Sequence, residues 1–317
     1  MNAAIVGCGN IAGFYDNPST KQILTHAHAF LENKDTKLTA CCDINELSLK
    51  NFTNIWGSDI RTYLDIDVML KDEDIDIIVI ATNTDVHYET LRKILLNTKI
   101  KNIICEKPFV SNIDQYNKIY ELIEEKNPNL LINYIRCFDP SINRVKKLLK
   151  KEKFGKVLQF NGRFNKGLYH NGSHMLSLAE HLFGNISNLK AENLKILDDD
   201  LYGYFLVEAK RANGVLTNFS DTEFSIFEME IICQKGIIKI YDSGFDIKAY
   251  MTKSSQTVSG TSQLELYKEY PNTLIYYAKN SLDFLLKKNS TKQQKKHLKL
   301  SYQLLKIKEE LLAQGQS

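Results

Sequence analysis

Two α/β parts are what this sequence predicts: a doubly wound parallel sheet, then a second α/β domain built on a mostly antiparallel open sheet. Three observations predict it. From Asn2 to Tyr134, apolar runs of strand length alternate with stretches of helical periodicity, the pattern of a parallel sheet with right-handed crossovers. From about Lys156 the pattern changes to short runs of alternating polarity separated by glycine-containing turns, which suits an antiparallel sheet with one packed face. The length, 317 residues, exceeds what one core usually organises, so two domains are expected. The boundary is placed near Glu125, giving residues 1–125 and 126–317.

The first apolar run, Ala3-Ala4-Ile5-Val6, ends in Gly7-Cys8-Gly9-Asn10-Ile11-Ala12. This is G-x-G-x-x-G/A directly after a strand and ahead of a helix. Gly7 allows the tight turn, Gly9 lets backbone amides approach a pyrophosphate, and Ala12 allows close packing of helix on strand. The reading is a Rossmann domain that binds a dinucleotide, with Gly7, Gly9, Asn10 and Ile11 at the cofactor; an ordinary glycine turn is the alternative. The cluster Asp16-Asn17-Pro18-Ser19-Thr20 reads as a loop that delays the first helix to about Thr25–Glu32. His26 and His28 lie two apart and share no helix face, so they are expected as helix-start or loop contacts rather than metal ligands.

Lys37 to Asp43 is the second strand. An acidic residue at its end can accept hydrogen bonds from the adenosine ribose, and it repels the additional phosphate of NADP. Ile44 and Asn45 supply no arginine for that phosphate, so NAD(H) is favoured over NADP(H). The alternative for Asp43 is a cap on the helix Glu46–Trp56. Asp74 to Ala81 holds a doubly buried strand core, and Thr82, Asn83 and His87 follow at its carboxyl end, where a cofactor crevice lies in such folds. A helix to about Leu96 follows. Next come the strand Lys101–Cys105, which runs into Glu106-Lys107-Pro108, a helix Ile113–Glu125 begun by Ser111 and Asn112, and the strand Leu130–Tyr134.

In the second part, Val157–Phe164, Tyr202–Lys210, Val215–Phe219, Phe227–Cys233, Ile237–Tyr241 and Asp246–Met251 read as strands. Helices are expected at about Asp139–Lys151, His174–Phe183, Leu274–Leu286 and Leu298–Leu312, with the lysine-rich stretch Lys287–Lys296 as a solvated loop. The charge balance, 41 Lys+Arg against 38 Asp+Glu, argues against nucleic-acid and membrane partners. No apolar run approaches the ~20 residues of a membrane span, and the chain opens on a strand rather than a leader. Six cysteines without metal or disulfide spacing are expected as reduced thiols in a cytoplasmic protein. No metal site is expected.

With GCGNIA from Gly7, CCD ending at Asp43, ATNTDVH ending at His87, ICEKP from Ile104, and HNGSH from His170 followed by a helix ending LFG, the chain resembles the Gfo/Idh/MocA family of NAD(P)-dependent oxidoreductases. The resemblance implies hydride transfer between nicotinamide and a hydroxyl or ketone carbon of a sugar, cyclitol or nucleotide sugar, and a dimer or tetramer formed through the C-terminal sheet. The Phe14–Leu24 loop leading into THAHAF and the HNGSH segment look most like members associated with surface-polysaccharide sugar biosynthesis. Lys107 matches the family's catalytic lysine, and Glu106 is expected near the ribose and nicotinamide. His174 matches the family histidine. His170 stands where the family usually has aspartate and would relay a proton or bind a hydroxyl. Arg136, Arg163, Tyr169 and Asn171 are candidate substrate contacts, the arginines for a phosphate or carboxylate; structural ion pairing is the alternative for each arginine. Two other functions are compatible with the same motifs: a non-catalytic NAD-binding regulatory protein, and an NAD-dependent redox-assisted hydrolase or lyase.

Overall fold

In the computed structural model, which describes residues 1–198, 200–255, 259–287 and 291–315, six parallel strands form the first sheet. They are β1 (Asn2–Val6), β2 (Lys37–Cys42), β3 (Arg61–Tyr63), β4 (Ile77–Ile80), β5 (Asn102–Cys105) and β6 (Asn129–Ile132), ordered β3-β2-β1-β4-β5-β6. The strand order reverses between β1 and β4, and ligands of such sheets bind outside the carboxyl ends of the strands at that reversal. β1 and β4 sit at the centre because they are apolar on both faces: Ala3, Ala4, Ile5 and Ile77 to Ile80 are all buried.

Helices α1 (His26–Glu32), α2 (Glu46–Trp56), α3 (Ile66–Asp72), α4 (Thr84–Asn97) and α5 (Ile113–Lys126) connect the strands. Their starts follow side-chain chemistry. Thr25, Asn45, Asp65 and Asn112 accept backbone N–H groups at the first turns of α1, α2, α3 and α5. The cap of α2 is therefore Asn45, not Asp43. Directly after the glycine motif comes only a five-residue π-turn, Asn10–Phe14, before α1. The segment between them is not a free loop. The buried Asp16 carboxylate accepts from Leu24 N–H (2.6 Å) and Thr25 Oγ1 (2.5 Å) and meets His28 Nδ1 at 2.9 Å. β3 and α3 add to the elements expected; with Met69 the buried residue of α3, that helix shows no apolar stripe.

The second sheet has eight strands: β7 (Val157–Asn165), β8 (Ile186–Leu197), β9 (Asp200–Ala209), β10 (Ala212–Phe219), β11 (Phe227–Cys233), β12 (Gly236–Tyr241), β13 (Asp246–Ser254) and β14 (Ser262–Tyr270). Their order is β14-β13-β12-β11-β7-β10-β9-β8, antiparallel except for the β7–β10 pair. α6 (Pro140–Lys150) and α7 (Ser173–Phe183) accompany it. Phe160 stacks on Phe183 with ring centroids 4.6 Å apart. At Gly162 a Cβ would lie 2.6 Å from Leu216 and 3.0 Å from the Met175 sulfur, so glycine sets the closeness of α7 to β7. The edge strands β8 and β14 escaped the sequence reading because edge positions need no apolar alternation. β14 is exposed from Ser262 to Glu269.

The chain then returns to the parallel sheet with α8 (Tyr277–Leu286) and α9 (Thr291–Gly315). Met1–Ile135 and Ile275–Glu309 form one compact unit, and Arg136–Leu274 with the chain from Glu310 the other. The expected boundary at Glu125 falls inside α5, and β6 beyond it pairs with β5 in the parallel sheet. Gln294 accepts from Leu130 N–H at 3.1 Å, and Leu298 O accepts from the Tyr116 hydroxyl at 3.0 Å. Leu282, Leu285, Leu298, Leu304 and Leu305 are the buried stripes of these helices. α9 begins seven residues ahead of the expected Leu298, so the lysine-rich stretch is helical from Thr291; residues 288–290 lie outside the described ones.

His297 on α9 is buried and neutral. Its Nδ1 lies 3.0 Å from Ile132 O, and Nε2 lies 2.6 Å from the Gln293 amide nitrogen. Burial, helped by the Lys296 charge and opposed by the Ile132 bond, pushes its pKa down to about 3. Below its ordinary value near 6.5 the unfolded histidine takes a proton that the folded one refuses, so stability falls as pH drops from there. Urea melts should show about 2 kcal/mol more loss between pH 7 and pH 5 in the native protein than in His297→Gln. Equal losses in the two would contradict this.

Candidate active site

Gly7 has φ +91°, and a Cβ there would meet Ala81 C and O at 2.7 Å and Thr82 N at 2.8 Å. The turn after β1 therefore passes against the end of β4, and only glycine permits it. Gly9 is the opposite case: it is exposed, and a Cβ there would meet nothing within 4 Å. Open space beside a glycine whose neighbours begin a helical turn is what a pyrophosphate cradle requires. Ala12 is fully buried, and just beyond it Gly13 packs against α2, where a Cβ would lie 2.5 Å from Phe52 and Trp56.

Asp43, just beyond β2, accepts Cys8 N–H at 2.7 Å with Oδ2 and Asn45 N–H at 2.9 Å with Oδ1. It thus braces the glycine turn, and a carboxylate has lone pairs left for ribose hydroxyls. Ile44 beside it is 92 % exposed and carries no charge. At the end of β4, the Thr82 hydroxyl oxygen is buried without a hydrogen-bond partner among the described residues. An orphaned buried hydroxyl on the residue whose backbone nitrogen abuts Gly7 fits a site that a polar ligand completes. Asn83 is the exposed residue before α4.

His87 does not face that space. Its ring is buried, with Nδ1 2.9 Å from Pro108 O and 3.2 Å from Phe109 O, and Nε2 3.0 Å from Thr82 O. Instead of touching cofactor, as its position in the sequence suggested, it ties the β4–α4 turn to the turn after β5. Glu106 likewise turns inward. Its Oε1 lies 2.8 Å from His26 Nε2 and accepts from Asn133 Nδ2 at 2.7 Å, and Ser281 Oγ donates to Asn133 Oδ1 at 2.7 Å. Burial pushes the Glu106 pKa up, but the His26 bond and charge, the Asn133 bond and the Lys107 charge together hold it below the usual carboxylate range. His26 and Glu106 stand 80 residues apart, so neither the buried pair nor the inward turn of Glu106 was visible in local pattern. Lys107, half-buried, follows this anchored residue and precedes the buried Pro108.

In the second unit, His170 lies on a π-turn, Leu168–Gly172, and His174 in the first turn of α7, both half-buried. The turn is braced from three strands. Asp200 of β9 accepts Tyr169 N–H at 2.8 Å with Oδ1 and His170 N–H at 3.0 Å with Oδ2. Asn218 of β10 donates to Lys166 O (3.1 Å) and Leu201 O (2.8 Å). Asn171 donates to Asn165 O of β7 at 2.8 Å, so its amide pins the turn. Asp200 and Asn218 were missed because nothing near them in sequence marks partners 17 to 52 positions away.

Neither arginine stands ready for a phosphate. Arg163 is paired with Glu228 at 2.5 Å across β7 and β11, on the face opposite its buried neighbours Gly162 and Phe164, which lie toward α7. The nearly buried Arg136 lies 3.4 Å above the Phe227 ring and donates to Ser243 O at 3.0 Å. Arg163 takes the ion-pair alternative, whereas the contacts of Arg136 are with a ring and a backbone carbonyl. No group of three His, Cys, Asp or Glu residues that could hold a metal occurs among the described residues, the cysteines are free and buried, and no helix is long and apolar enough to cross a membrane.

Residues 1–134 match the Gfo/Idh/MocA model, described as an oxidoreductase family with an NAD-binding Rossmann fold. The chain is 24 % identical over 210 residues to an uncharacterized oxidoreductase of Schizosaccharomyces pombe, covering 61 % of this chain and 54 % of that protein. It is 28 % identical over 132 residues to inositol 2-dehydrogenase of Rhizobium meliloti, covering 42 % and 38 %. The chain thus spans from 38 % to 54 % of the length of these curated relatives. In fold it is similar to KijD10, a 3-ketoreductase from Actinomadura kijaniata crystallised with NADP and TDP-benzene. The TM-score is 0.75 at 15 % identity, over 96 % of this chain and 95 % of that one.

Proposed function

We propose, from the premise that residues 1–134 belong to the Gfo/Idh/MocA oxidoreductase family with its NAD-binding Rossmann fold, that this protein moves a hydride between nicotinamide and a hydroxyl or ketone carbon of a sugar or nucleotide sugar. The observation that carries the reading is the open space at Gly9, next to Cys8 whose amide the Asp43 carboxylate holds, in the same unit as Lys107. Bound NAD would supply the hydride acceptor. Gly7, Gly9, Asn10 and Ile11 would hold the pyrophosphate, Asp43 the adenosine ribose, and Thr82 and Asn83 the inner part of the cofactor. Lys107 would take the proton of the hydroxyl being oxidised and return it in reverse. In the second unit, His174, His170 and Tyr169 would be the sugar contacts.

The carboxylate of Asp43 and the uncharged Ile44 favour NAD over NADP. We place the protein in the reducing cytoplasm on account of its buried free thiols, and as a homodimer or homotetramer joined through the exposed face of the eight-stranded sheet, where Leu158, Tyr204 and Leu206 stand among polar residues. A function in surface-polysaccharide synthesis would follow from the same sugar chemistry.

The test is cofactor binding after stripping, followed by absorbance at 340 nm across a sugar panel. NAD+ should raise the melting temperature more than NADP+, as mass action requires of the tighter ligand. Asp43→Asn keeps an acceptor for Cys8 but removes the charge, and it should weaken NAD by roughly 10- to 100-fold, the worth of a charge-assisted bond. A protein that neither cofactor stabilises would remove the reading.

A further inference from the structure

Building on that reading of Lys107, we propose that His26 is a positioning residue for the reaction: from the start of α1 it holds the Glu106 carboxylate inward and, with Asn133 and Ser281 on the other side, fixes the turn from which Lys107 acts. Side chains from distant parts of the first unit meet at this one carboxylate. His26 Nε2 lies 2.8 Å from Glu106 Oε1, and Asn133 Nδ2 donates to the same oxygen at 2.7 Å. Ser281 Oγ of α8 donates to Asn133 Oδ1 at 2.7 Å, so both ends of that amide are engaged and its N–H is kept toward Glu106. The backbone is held at the same residues: Glu106 N–H donates to Ile80 O and Asn133 N–H to Cys105 O, each at 2.9 Å. His26, Glu106, Asn133 and Ser281 are all buried.

A buried carboxylate paired with a histidine is a poor stabiliser, because the water it gives up offsets most of what the pair returns, and an apolar side chain of similar volume would pack as well. What such a pair does well is fix a direction, since its donors must reach one oxygen with short, straight bonds. Here the fixed residue immediately precedes Lys107. Burial works against the Glu106 anion, yet the His26 bond and charge, the Asn133 bond and the Lys107 charge outweigh it. Anion and lysine are therefore coupled in space as well as in sequence. Removing His26 shifts the balance toward a protonated carboxyl, which loosens the turn and takes a negative charge away from Lys107. Both changes leave the Lys107 amine more reactive toward reagents in solution and less well aimed at a hydroxyl. His28 supplies a matched control on the same helix: it is as buried as His26 but pairs with Asp16, at 2.9 Å.

The test compares His26→Leu, which deletes the donor, with His26→Gln, which keeps an N–H in reach of Glu106, and with His28→Leu. In the full chain stripped of cofactor, acetylation of Lys107 by acetic anhydride is followed by peptide mass spectrometry, with the exposed Lys50 as the internal reference. His26→Leu should label Lys107 at least ~3-fold faster than wild type does, and His28→Leu at the wild-type rate. With NAD+ and a sugar that the wild type oxidises, kcat of His26→Leu should fall by about 10- to 100-fold, the cost of misplacing a reacting group, with KM for NAD+ near wild type. His26→Gln should lie between wild type and His26→Leu in both measurements. The double variant His26→Leu/Glu106→Leu should be no slower than Glu106→Leu alone, because both substitutions break one chain of contacts. Wild-type labelling or wild-type kcat in folded His26→Leu would overturn the proposal, as would additive losses in the double variant or equally fast labelling in His28→Leu. If no sugar is oxidised, the redox reading fails, and the labelling still decides whether His26 sets the Lys107 side chain. If His26→Leu does not fold, Ser281→Ala, which cuts the far end of the chain of contacts, takes its place: faster Lys107 labelling upholds the proposal and wild-type labelling overturns it.

Discussion

Lys107→Ala should lower kcat/KM for sugar oxidation by about 10²- to 10⁴-fold, the usual worth of a positioned acid or base, while NAD(H) affinity stays close to wild type. The expectation rests on how the turn is built. Glu106 is fixed from inside the unit by His26 and Asn133, and the Pro108 and Phe109 carbonyls by the buried His87 ring. Truncating the side chain between these anchors removes an ammonium without releasing the backbone. The loss should therefore fall on kcat, and the limb of the pH profile that reports the base should vanish with it. Lys107→Arg would not rescue, since a guanidinium does not give up its proton at working pH. Unchanged turnover in Lys107→Ala would remove Lys107 from the chemistry.

The second large effect separates two glycines that look alike in the motif. Gly7→Ala should destabilise the protein by at least ~3 kcal/mol. The new Cβ would sit 2.7 Å from the Ala81 backbone, which cannot yield as a flexible side chain could, and φ of +91° is strained for alanine. Gly9→Ala should fold as wild type, because its Cβ enters open space. That space is where the pyrophosphate is expected, so Gly9→Ala should lose NAD affinity by at least ~10-fold. Thermal melts without and with NAD+ read both. A Gly9→Ala variant that binds NAD as wild type does would refute the cradle; a Gly7→Ala variant that melts with wild type would refute the tight passage against β4.

These two glycines also mark how far the sequence was legible. G-x-G-x-x-A after an apolar run announced a dinucleotide turn, because turn, close approach and helix start each demand a small residue at a set spacing. It did not announce that Gly7 is a packing requirement and Gly9 an open face, since that depends on a strand, β4, more than seventy residues later. His87 and Glu106 were noticed for the right segments and given the wrong partners. Each was expected at the cofactor, and each proved to be a buried fastener, His87 on three backbone carbonyls and Glu106 on His26 and Asn133. Arg136 and Arg163 show the same limit, as a charge in a sequence does not reveal what is folded beside it.

By itself, then, the sequence determined most of the strands and helices, the two-part α/β plan and the parallel-to-antiparallel change. Those are local properties, written in periodicity, caps and turn residues a few positions apart. Only the tertiary structure decided that α8 and most of α9 belong with the first sheet, that β6 lies on its side of the boundary, and that Asp200 fills the amides before His174. An apolar stripe states that a helix must be covered but not by what, and a lone carboxylate states that it needs donors but not which. Those choices are made when distant parts of the chain compete to bury the same surfaces and satisfy the same polar groups.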